Sequence, residues 1–571
     1  MKQRRRLTSV LTLILVLMLS VSAVNVHAET SSDEPEKCTG VYVGKAVSAD
    51  DTMIIARSED QSRGAYNKMF FVQPATDSSG GRITDTGEGQ KGFSVEIPQS
   101  TLKYTYLQDA SDLNDGPYYA SCMNERGVAV DGTVSTTVSD EYAALDPLKE
   151  EGDGLRESIL PAVIACQAVS AEDGVKILAS YIDRYGSAEC STTLISDRNE
   201  AWIFEIYGGS TYAAMRLPED RMAVFGNEIM LGWADLDAKD GFVFSPKLRG
   251  CLEKLKDPAK KGKNRYHLAR SIEPGPRSPY SNMRTWRGHQ LFAPSSTGEY
   301  SDDEFYDLLF KPEKKVSVTE IMQLYGDRYE GTKYDMRDPE NEDMRPIGVT
   351  RQSDVHIIQT YGSLPDSCCH LQWLAMGNAE HAIFVPAFSG ITDTFEKYKV
   401  DNDGAAVNDS YYYVCRSICS VAESDREYLS PGVKDFNLAQ EKKMQKEITA
   451  ALPDIKAAYE SSEEEGEAFV TDLAMRMAEE QYAGARDMYS RLLFTQMDNI
   501  NDRPDNEGKT VFSMPGFEEK QADVPDTAAE KGAKTASVPA GTIVVIALLC
   551  LLTVLVAADI IIRRKTGKID Q

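Results

Sequence analysis

The sequence predicts an α+β fold, and three observations support this prediction. From Val41 to Leu231 the chain consists largely of short apolar or alternating runs separated by Gly, Asp, Asn or Pro, a pattern typical of strands and turns. Within this region, residues 154–185 have helical spacing in two stretches that break near Ala171. Strands and helices mix without strict alternation, which favours α+β layering over a doubly wound sheet.

The runs predicted as strands are short, and turn residues bound them. They are VYVGKAV (41–47), TMIIARSED (52–60), YYASCMNERGVAVDG (118–132), TTLISDRNEAWIFEIYGG (192–209), STYAAMRL (210–217) and RMAVFGNEIML (221–231).

From Ser430 onward the pattern becomes helical. Residues 437–451 and 464–497 have charged faces and a minority of apolar positions suited to core contacts. A partner-binding coiled coil would need sustained heptads, which are missing, so we expect these helices to pack on the main body. We therefore place the main domain at 38–429 and a helical extension at 430–503.

The first 28 residues resemble a secretory leader. Four basic residues near the start precede an apolar stretch, and the leader ends in the small-x-small pattern Val26-His27-Ala28. We expect cleavage after Ala28, with an uncleaved anchor as the alternative. The acidic residues 29–37 then form a short propeptide, and they separate Cys38 from the apolar region, which argues against a lipoprotein.

The other end of the chain predicts a membrane anchor. Residues 542–562 are almost wholly apolar, and the basic tail 563–571 follows them, so we expect one transmembrane helix with a cytoplasmic tail and an extracellular body in the cell membrane. Residues 504–541 are predicted to be a flexible stalk. A cell-wall sorting signal is the rival interpretation, because the sequence VPDTA (524–528) precedes the apolar stretch.

The charge balance excludes one class of partner. With 62 basic and 89 acidic residues the formal charge is −27, and a nucleic-acid binder would need clustered Lys and Arg to neutralise phosphates. The sequence leaves a homo-oligomer open as an assembly state.

The cysteine pattern predicts no disulfide framework and no metal site. Ten cysteines in 571 residues is a low density, although some pairs could form outside the cell. Cys415 and Cys419 lie in an apolar segment without neighbouring His or carboxylate ligands, and structural zinc needs four clustered ligands. Without an HExxH motif, CxxC pairs or a phosphate loop, we predict neither a metal nor a nucleotide cofactor.

Cys38 is the strongest candidate nucleophile. If the propeptide is removed, Cys38 becomes the first residue and carries both a thiol nucleophile and an α-amine that can act as its base. The following residues read as a strand, a turn at 48–51 and a returning strand, which would bring Arg57 and Asp60 beside Cys38. Arg57 could stabilise a thiolate, and Asp60 could hold the amine. The alternative is that both are surface residues flanking a turn.

A histidine could also serve a cysteine nucleophile, as in papain-like enzymes. The candidates are His267, His289, His356, His370 and His381. Because His356 and His381 lie in strand-like segments, a structural role is the commoner interpretation for them.

Besides the run from Cys38 to Asp60, the chain contains the long segments NERGVAVDGTVS (124–135), EAWIFEIYGGSTYAAMRLPEDRMAVFGNEIMLG (200–232), NMRTWRGHQLFAP (282–294) and QWLAMGNAEHAIFVPAFSGITDT (372–394). Together these segments resemble the dipeptidase A group of cysteine peptidases, members of the N-terminal-nucleophile hydrolase superfamily.

The resemblance implies a four-layer αββα sandwich in which autoproteolysis exposes Cys38 as nucleophile. Arg57 and Asp60 match the family's motif, with Ser58 where asparagine is common. Asn227 matches an oxyanion-hole position, and Arg284 or Arg287, with Arg284 preferred, matches a further active-site arginine.

The expected activity is hydrolysis of short peptides by a membrane-anchored cysteine dipeptidase without a cofactor. An acyl-amide hydrolase of the same superfamily, acting on bile salts or penicillins, is the alternative within this fold. A surface-binding protein that has lost catalysis is the alternative from another class.

Overall fold

A computed structural model describes residues 37–61, 67–78, 81–85, 92–110, 118–150, 152–400, 409–500 and 509–517. The predicted leader, the propeptide before Lys37, the transmembrane segment 542–562 and the basic tail lie outside these residues. Among the described residues, no helix has both the length and the apolar character needed to cross a bilayer. The membrane anchor therefore stays a prediction.

The strands are numbered in chain order. They are β1 (Lys37–Val43), β2 (Met53–Asp60), β3 (Lys68–Gln73), β4 (Arg82–Thr84), β5 (Ser94–Glu96), β6 (Tyr104–Asp109), β7 (Tyr119–Asn124), β8 (Ala129–Ser135), β9 (Ser191–Ser196), β10 (Ala201–Ile206), β11 (Tyr212–Arg216), β12 (Met222–Phe225), β13 (Trp233–Asp235), β14 (Phe242–Phe244), β15 (Lys260–Lys261), β16 (Arg265–His267), β17 (Gln352–Thr360), β18 (His370–Ala375) and β19 (Val385–Phe388).

The α-helices follow the same convention. They are α1 (Asp140–Ala143), α2 (Leu160–Ala165), α3 (Ala171–Tyr185), α4 (Leu248–Leu252), α5 (Leu268–Ile272), α6 (Pro279–Phe292), α7 (Val318–Tyr325), α8 (Tyr411–Ser424), α9 (Arg426–Ser461) and α10 (Glu463–Asn499).

Two antiparallel sheets form the centre of the molecule. The six-stranded sheet has the order β12-β1-β2-β17-β18-β19, and the eight-stranded sheet has the order β14-β11-β10-β9-β8-β7-β6-β3. Cys38, Tyr42 and Ile55 on the inner face of the first sheet share a core with Leu194 and Ile203 of the second. The sheets therefore pack face to face, and β1 lies inside the sandwich rather than at an edge.

Helices cover both outer faces, so the layer order is helix, sheet, sheet, helix. Val175 and Leu178 of α3 pack on Ile195 and Phe204 of the eight-stranded sheet. On the other side α6 packs on β12, α7 on β17 and α10 on β19. The mixed helix and sheet content predicted from the sequence is confirmed.

The break predicted near Ala171 is the junction before α3. Ser170 is the N-cap of α3, and its side chain accepts a hydrogen bond from the Asp173 amide, which satisfies one of the unpaired donors of the first turn. The apolar face of α3 is buried against the eight-stranded sheet.

The C-terminal helices extend beyond their predicted bounds. α9 begins at Arg426 and is 36 residues long, α10 is 37 residues long, and Ser462 separates them as the N-cap of α10. The sequence did not show where these helices begin and end, because their exposed faces are charged and apolar periodicity marks only the buried contacts. As expected, their buried residues, among them Ile448 and Leu492, belong to the core of the main body.

Part of the predicted stalk is packed rather than flexible. Phe512 and Met514 are buried in the core, and the Phe512 amide donates to the Tyr428 carbonyl at 2.7 Å. The polar composition of the segment concealed these two apolar anchors. The stalk prediction is wrong for residues 509–517, and the rest of the predicted stalk, 504–508 and 518–541, lies outside the described residues.

The described cysteines are all free thiols, and all are buried. Cys415 and Cys419 lie on α8 as apolar packing residues. The disulfides that the sequence left open are therefore not formed among these nine residues.

A substitution at Gly288 tests how closely α6 packs on β12. An alanine Cβ there would lie 2.4 Å from Val224 Cβ, so we expect Gly288→Ala to destabilise the protein by about 1–3 kcal/mol in urea unfolding. The matched control is Gly250→Ala in α4, where nothing lies within 4 Å and relief of helical glycine entropy should stabilise by about 0.5–1 kcal/mol. Equal effects of the two substitutions would contradict close packing at Gly288.

Candidate active site

Cys38 is the second residue of β1, and its side chain faces the interior between the two sheets. β1 and β2 pair in antiparallel fashion, with Cys38 opposite Glu59 and Gly40 opposite Arg57. As predicted, the chain turns near 48–51 and returns antiparallel beside Cys38. Cys38 is 2% exposed, and strand alternation puts Lys37 on the opposite face of the sheet.

Arg57 binds the sulphur of Cys38. Its Nη2 donates to Cys38 Sγ at 3.0 Å and to the Tyr118 hydroxyl at 3.2 Å, while Nη1 donates to Glu59 Oε2 at 3.1 Å. A register shift in β8 places Gly132 against the guanidinium, where a Cβ would lie 2.9 Å from Nη1. The bulge and the missing side chain together make room for Arg57.

Burial controls the acidity of the thiol in this uncleaved chain. It raises the pKa of Cys38 to about 12, and Arg57 opposes the shift, whereas Glu157, Asp60 and Glu59 reinforce it. With Lys37 attached, Cys38 is therefore a protonated thiol at neutral pH.

Asn227 binds the nitrogen of Cys38. Its Oδ1 accepts from the Cys38 amide at 3.1 Å and from Arg284 Nη2 at 2.9 Å, and its Nδ2 donates to the Ser135 carbonyl at 2.8 Å. Both partners of Oδ1 are donors and the partner of Nδ2 is an acceptor, so the orientation of the amide is determined. The second N–H of Nδ2 is not used in these contacts.

Arg284 of α6 also contacts Cys38. Its Nη1 donates to the Cys38 carbonyl and to Thr39 Oγ1 at 3.0 Å. Burial, followed by the charge of Arg345, lowers the pKa of Arg284 to about 10. Arg287, one turn along, instead forms a bidentate pair with Asp327 at 2.8 and 2.6 Å. The structure thus brings Arg284, and not Arg287, to Cys38.

In the pairing of β1 with β2, Asp60 lies one position from the partner of Cys38, but its side chain is on the other face of the sheet. It is opposite Lys37, it is fully buried, and Oδ2 forms an ion pair with Arg345. Its second oxygen, Oδ1, has no hydrogen-bond partner among the described residues. The contact between Asp60 and the Cys38 nitrogen that the sequence predicted is not formed in the uncleaved chain.

A buried charge network lies behind Arg57, and sequence reasoning missed it. Lys68 Nζ contacts Glu59 Oε1 at 2.6 Å and Asp354 Oδ2 at 3.6 Å, and it also pairs with Asp109. Because burying an unpaired charge is costly, these pairs are what permit Arg57 to lie between the sheets. Only the alternation in β2 hinted at Glu59, and no local signal marks Lys68.

His356 closes this network on the opposite side. Its Nδ1 contacts Asp354 at 2.8 Å and its Nε2 contacts Asp131 at 2.7 Å. Burial disfavours the charged ring, but Asp131 and Asp354 outweigh it and raise the pKa of His356 to about 9. Both ring nitrogens are occupied, so this histidine links the two sheets and is not a partner of the thiol.

Glu380, His381 and Glu423 form a cluster with the spacing of metal ligands. Arg328 and Arg426 each pair with both carboxylates, and Lys434 pairs with Glu380. These cations neutralise the carboxylates and occupy the oxygens that a metal ion would need. The cluster is an ion-pair network between α8, α9 and the loop after β18.

Arg57 thus holds the thiol of Cys38 and Asn227 holds its nitrogen, and a thiol beside a cation is a group that can act as a nucleophile. Residues 37–439 match the model of peptidase family C69, so the chain belongs to this family and is a peptidase, a hydrolase of peptide bonds.

Curated relatives with this similarity are named as dipeptidases. The probable dipeptidase B of Streptococcus pyogenes serotype M1 is 27% identical over 449 residues, which cover 75% of this chain and 88% of that protein. Dipeptidase A of Lactobacillus helveticus is 28% identical over 370 residues, which cover 64% of this chain and 77% of that protein.

Among solved structures, a mutant of the conjugated bile acid hydrolase from Clostridium perfringens is similar. The alignment covers 62% of this chain and 92% of that chain, with 11% identity and a TM-score of 0.29.

The charge on His356 predicts how stability changes with pH. Since its pKa is raised from 6.5 to about 9 in the folded state, its stabilisation is fully present below pH 6.5 and is lost as the pH rises through 9. We expect His356→Gln to lower the free energy of unfolding at pH 6, and the difference from wild type to shrink towards pH 9.5. Urea unfolding of both proteins across this range is the measurement, and a pH-independent difference would contradict a protonated His356.

Proposed function

We propose that this chain is an exported cysteine dipeptidase of the N-terminal-nucleophile superfamily, in which Cys38 becomes the first residue of the mature protein. One observation carries the proposal. The sulphur of Cys38 accepts a hydrogen bond from Arg57 Nη2 at 3.0 Å, and its nitrogen donates one to Asn227 Oδ1 at 3.1 Å, so both groups have a buried side-chain partner. The cation beside the sulphur can stabilise a thiolate, and the side-chain amide of Asn227 lies at the nitrogen that cleavage would free.

Maturation would use the same thiol. Cys38 Sγ attacks the Lys37 carbonyl carbon, the C–N bond to Cys38 breaks, and the proton lost by sulphur goes to the released α-amine. Water then hydrolyses the resulting thioester and frees the propeptide as an acid. Cleavage by another protease after Lys37 would yield the same N-terminus.

Peptide hydrolysis follows the same steps. The α-amine takes the thiol proton as sulphur attacks the scissile carbonyl, and the second N–H of Asn227 Nδ2 is a donor for the oxyanion that develops. The α-ammonium gives its proton to the departing amine, and a thioester remains. Water activated by the amine releases the acid product and restores the thiol.

The acidity of the thiol changes on cleavage in the direction that catalysis needs. A free α-amine has a pKa near 7.7–8.0, so it is partly protonated at neutral pH and adds a positive charge beside Cys38. That charge opposes the burial that raises the thiol pKa to about 12 in the uncleaved chain. Oδ1 of buried Asp60, which has no hydrogen-bond partner in the described part of the chain, is an acceptor on the Lys37 side of β1 that could hold the ammonium.

The substrate class rests on the relatives, which carry dipeptidase names over most of their length. The location rests on the sequence, because residues 542–562 have the length and composition of a membrane span. We propose that this helix holds the peptidase body outside the cell.

Cys38→Ala tests both roles of the nucleophile. We expect the variant to keep residues 29–37 in the mass of its mature chain and to lose hydrolysis of unblocked dipeptides to the assay background, because it lacks the attacking sulphur. Wild type should begin at Cys38.

Two outcomes would overturn the proposal. A wild-type chain that retains residues 29–37 yet hydrolyses dipeptides would exclude the N-terminal amine as base. Activity confined to acyl amides such as bile salts or penicillins would select the acyl-amide hydrolase instead. Cys122→Ala is the matched control, since this buried thiol lies apart from the contacts of Cys38 and should leave processing and activity intact.

A stop codon after residue 541 tests the anchor. We expect the full chain in the membrane fraction and the shortened chain in the culture medium with unchanged specific activity, because the apolar segment is removed and the described body is kept. Membrane retention of the shortened chain would contradict anchoring by residues 542–562.

A further inference from the structure

A cleft of about 430 Å³ lies between α7, the loop after β18 and α9. We call it the α9 cleft. Met322, Phe384 and Leu438 form its apolar walls, and the exposed side chains of Gln323 and Lys434 also line it, so it is open to solvent. Ligand pockets usually enclose about 300–1,000 Å³, so a small organic molecule fits a cleft of this size.

Glu441 places a buried carboxyl group in the α9 cleft. The residue is 6% exposed, and its Oε1 accepts a hydrogen bond from the Phe384 amide at 3.1 Å. In the described part of the chain this is the only hydrogen bond of the carboxyl group, and no cation pairs with it. Its Oε2 is therefore an acceptor that no described group satisfies.

Asn437 places a second buried acceptor beside it. This residue lies one turn before Glu441 on α9, lines the same cleft and is also 6% exposed. Its Nδ2 donates to the His381 carbonyl at 2.8 Å, which determines the orientation of the amide. Among the described residues, Oδ1 of Asn437 has no hydrogen-bond donor, so the cleft contains one carboxyl and one amide oxygen ready to accept.

The number of free acceptors identifies the class of ligand. Two other carboxylates of the cleft are occupied, because both oxygens of Asp327 accept from Arg287, at 2.8 and 2.6 Å, and Glu380 pairs with Lys434 and two arginines. A calcium ion takes about six to eight oxygen ligands, which is more than the buried free acceptors provide. An ammonium group has three N–H donors and suits two acceptors, and the apolar walls suit an organic body.

We propose that the α9 cleft binds a small organic cation, a primary ammonium group on an apolar body. The ammonium donates to Glu441 Oε2 and Asn437 Oδ1, and the apolar body lies against the walls of the cleft. This site is independent of the proposed dipeptidase activity, since none of the residues that line it forms a hydrogen bond with Cys38 in the part of the chain that the structure describes.

Binding of the cation should release a proton. Burial raises the pKa of Glu441 to about 8, although the Phe384 amide opposes the shift, so the carboxyl group is mostly protonated at neutral pH. A bound ammonium favours the ionised carboxylate, and an alkylammonium itself stays charged to about pH 10. Affinity should therefore rise with pH up to about 8. The other charged groups that line the cleft are Asp327 and Glu330 after α7, Glu380 in the loop after β18, and Lys434 and Asp435 on α9.

Titration calorimetry of the full chain in detergent tests the site with two probes that share one apolar body. They are 3-methylbutylamine and 3-methyl-1-butanol, which has a hydroxyl in place of the ammonium. We expect Glu441→Gln to weaken binding of the amine at least about 10-fold at pH 8.5, because a hydrogen bond to a charged group is lost. The alcohol should bind both proteins weakly and equally. Glutamine keeps an acceptor for the Phe384 amide and resembles the neutral acid, so the variant should fold.

Wild type allows a second measurement that needs no variant. Titration at pH 7 in two buffers of different ionisation enthalpy should show release of about one proton for each amine bound. Between pH 6.5 and 8.5 the affinity of wild type for the amine should rise about 20-fold, because the ionised fraction of Glu441 rises by that factor. The affinity of Glu441→Gln should stay constant over this range.

A control variant and a third probe complete the test. Glu460→Gln makes the same change at an exposed position of α9 that does not line the cleft, and it should leave binding unchanged. L-leucine is 3-methylbutylamine with a carboxylate beside the nitrogen. Leucine that binds as tightly as the amine would identify free amino acids as a source of the ligand, whereas weaker binding of leucine would identify simple amines.

Four results would overturn the cation site. They are no binding of the amine to wild type, equal binding of amine and alcohol, amine binding that survives Glu441→Gln, and amine binding without release of a proton. Each of them leaves the dipeptidase proposal standing, because that proposal depends on Cys38 and its partners.

Discussion

The arrangement of the molecule centres on one buried guanidinium, that of Arg57, which lies between the two sheets with one nitrogen on the Cys38 sulphur. A charge in this position is costly unless it is paired. Glu59 provides the pair, Lys68 balances Glu59, and Asp354 and Asp109 balance Lys68. The bulge at Gly132 then leaves the space that the guanidinium fills.

The two faces of β1 carry different side chains with different surroundings. On the inner face the thiol contacts Arg57, and both side chains are buried. On the outer face the ammonium group of Lys37 lies over the ring of Tyr280, 5.6 Å from its centroid. The peptide bond between Lys37 and Cys38 joins the two faces, so the strand that places the proposed nucleophile also places the bond whose cleavage would free its amine.

Much of this could be predicted from sequence because it is local. A turn at 48–51 between two alternating runs determines that Arg57 returns beside Cys38, and the structure has this register. The ends of the C-terminal helices were harder to predict from the sequence, because α9 and α10 bury few residues per turn. Residues 509–517 were misassigned as stalk because two apolar anchors in a polar segment become visible only when the surface they pack against is known.

The sequence by itself predicted Cys38 as nucleophile and Arg57 as its partner, because they lie on a hairpin whose alternation and turn geometry act over a few residues. The resemblance of the long motifs added Asn227 and Arg284 as candidates. Only the tertiary structure decided that Arg284 rather than Arg287 reaches Cys38, that Asp60 pairs with Arg345, and that Lys68 and His356 support the site. Those contacts join positions that are distant along the chain, and they exist because two sheets pack face to face, which no local pattern records.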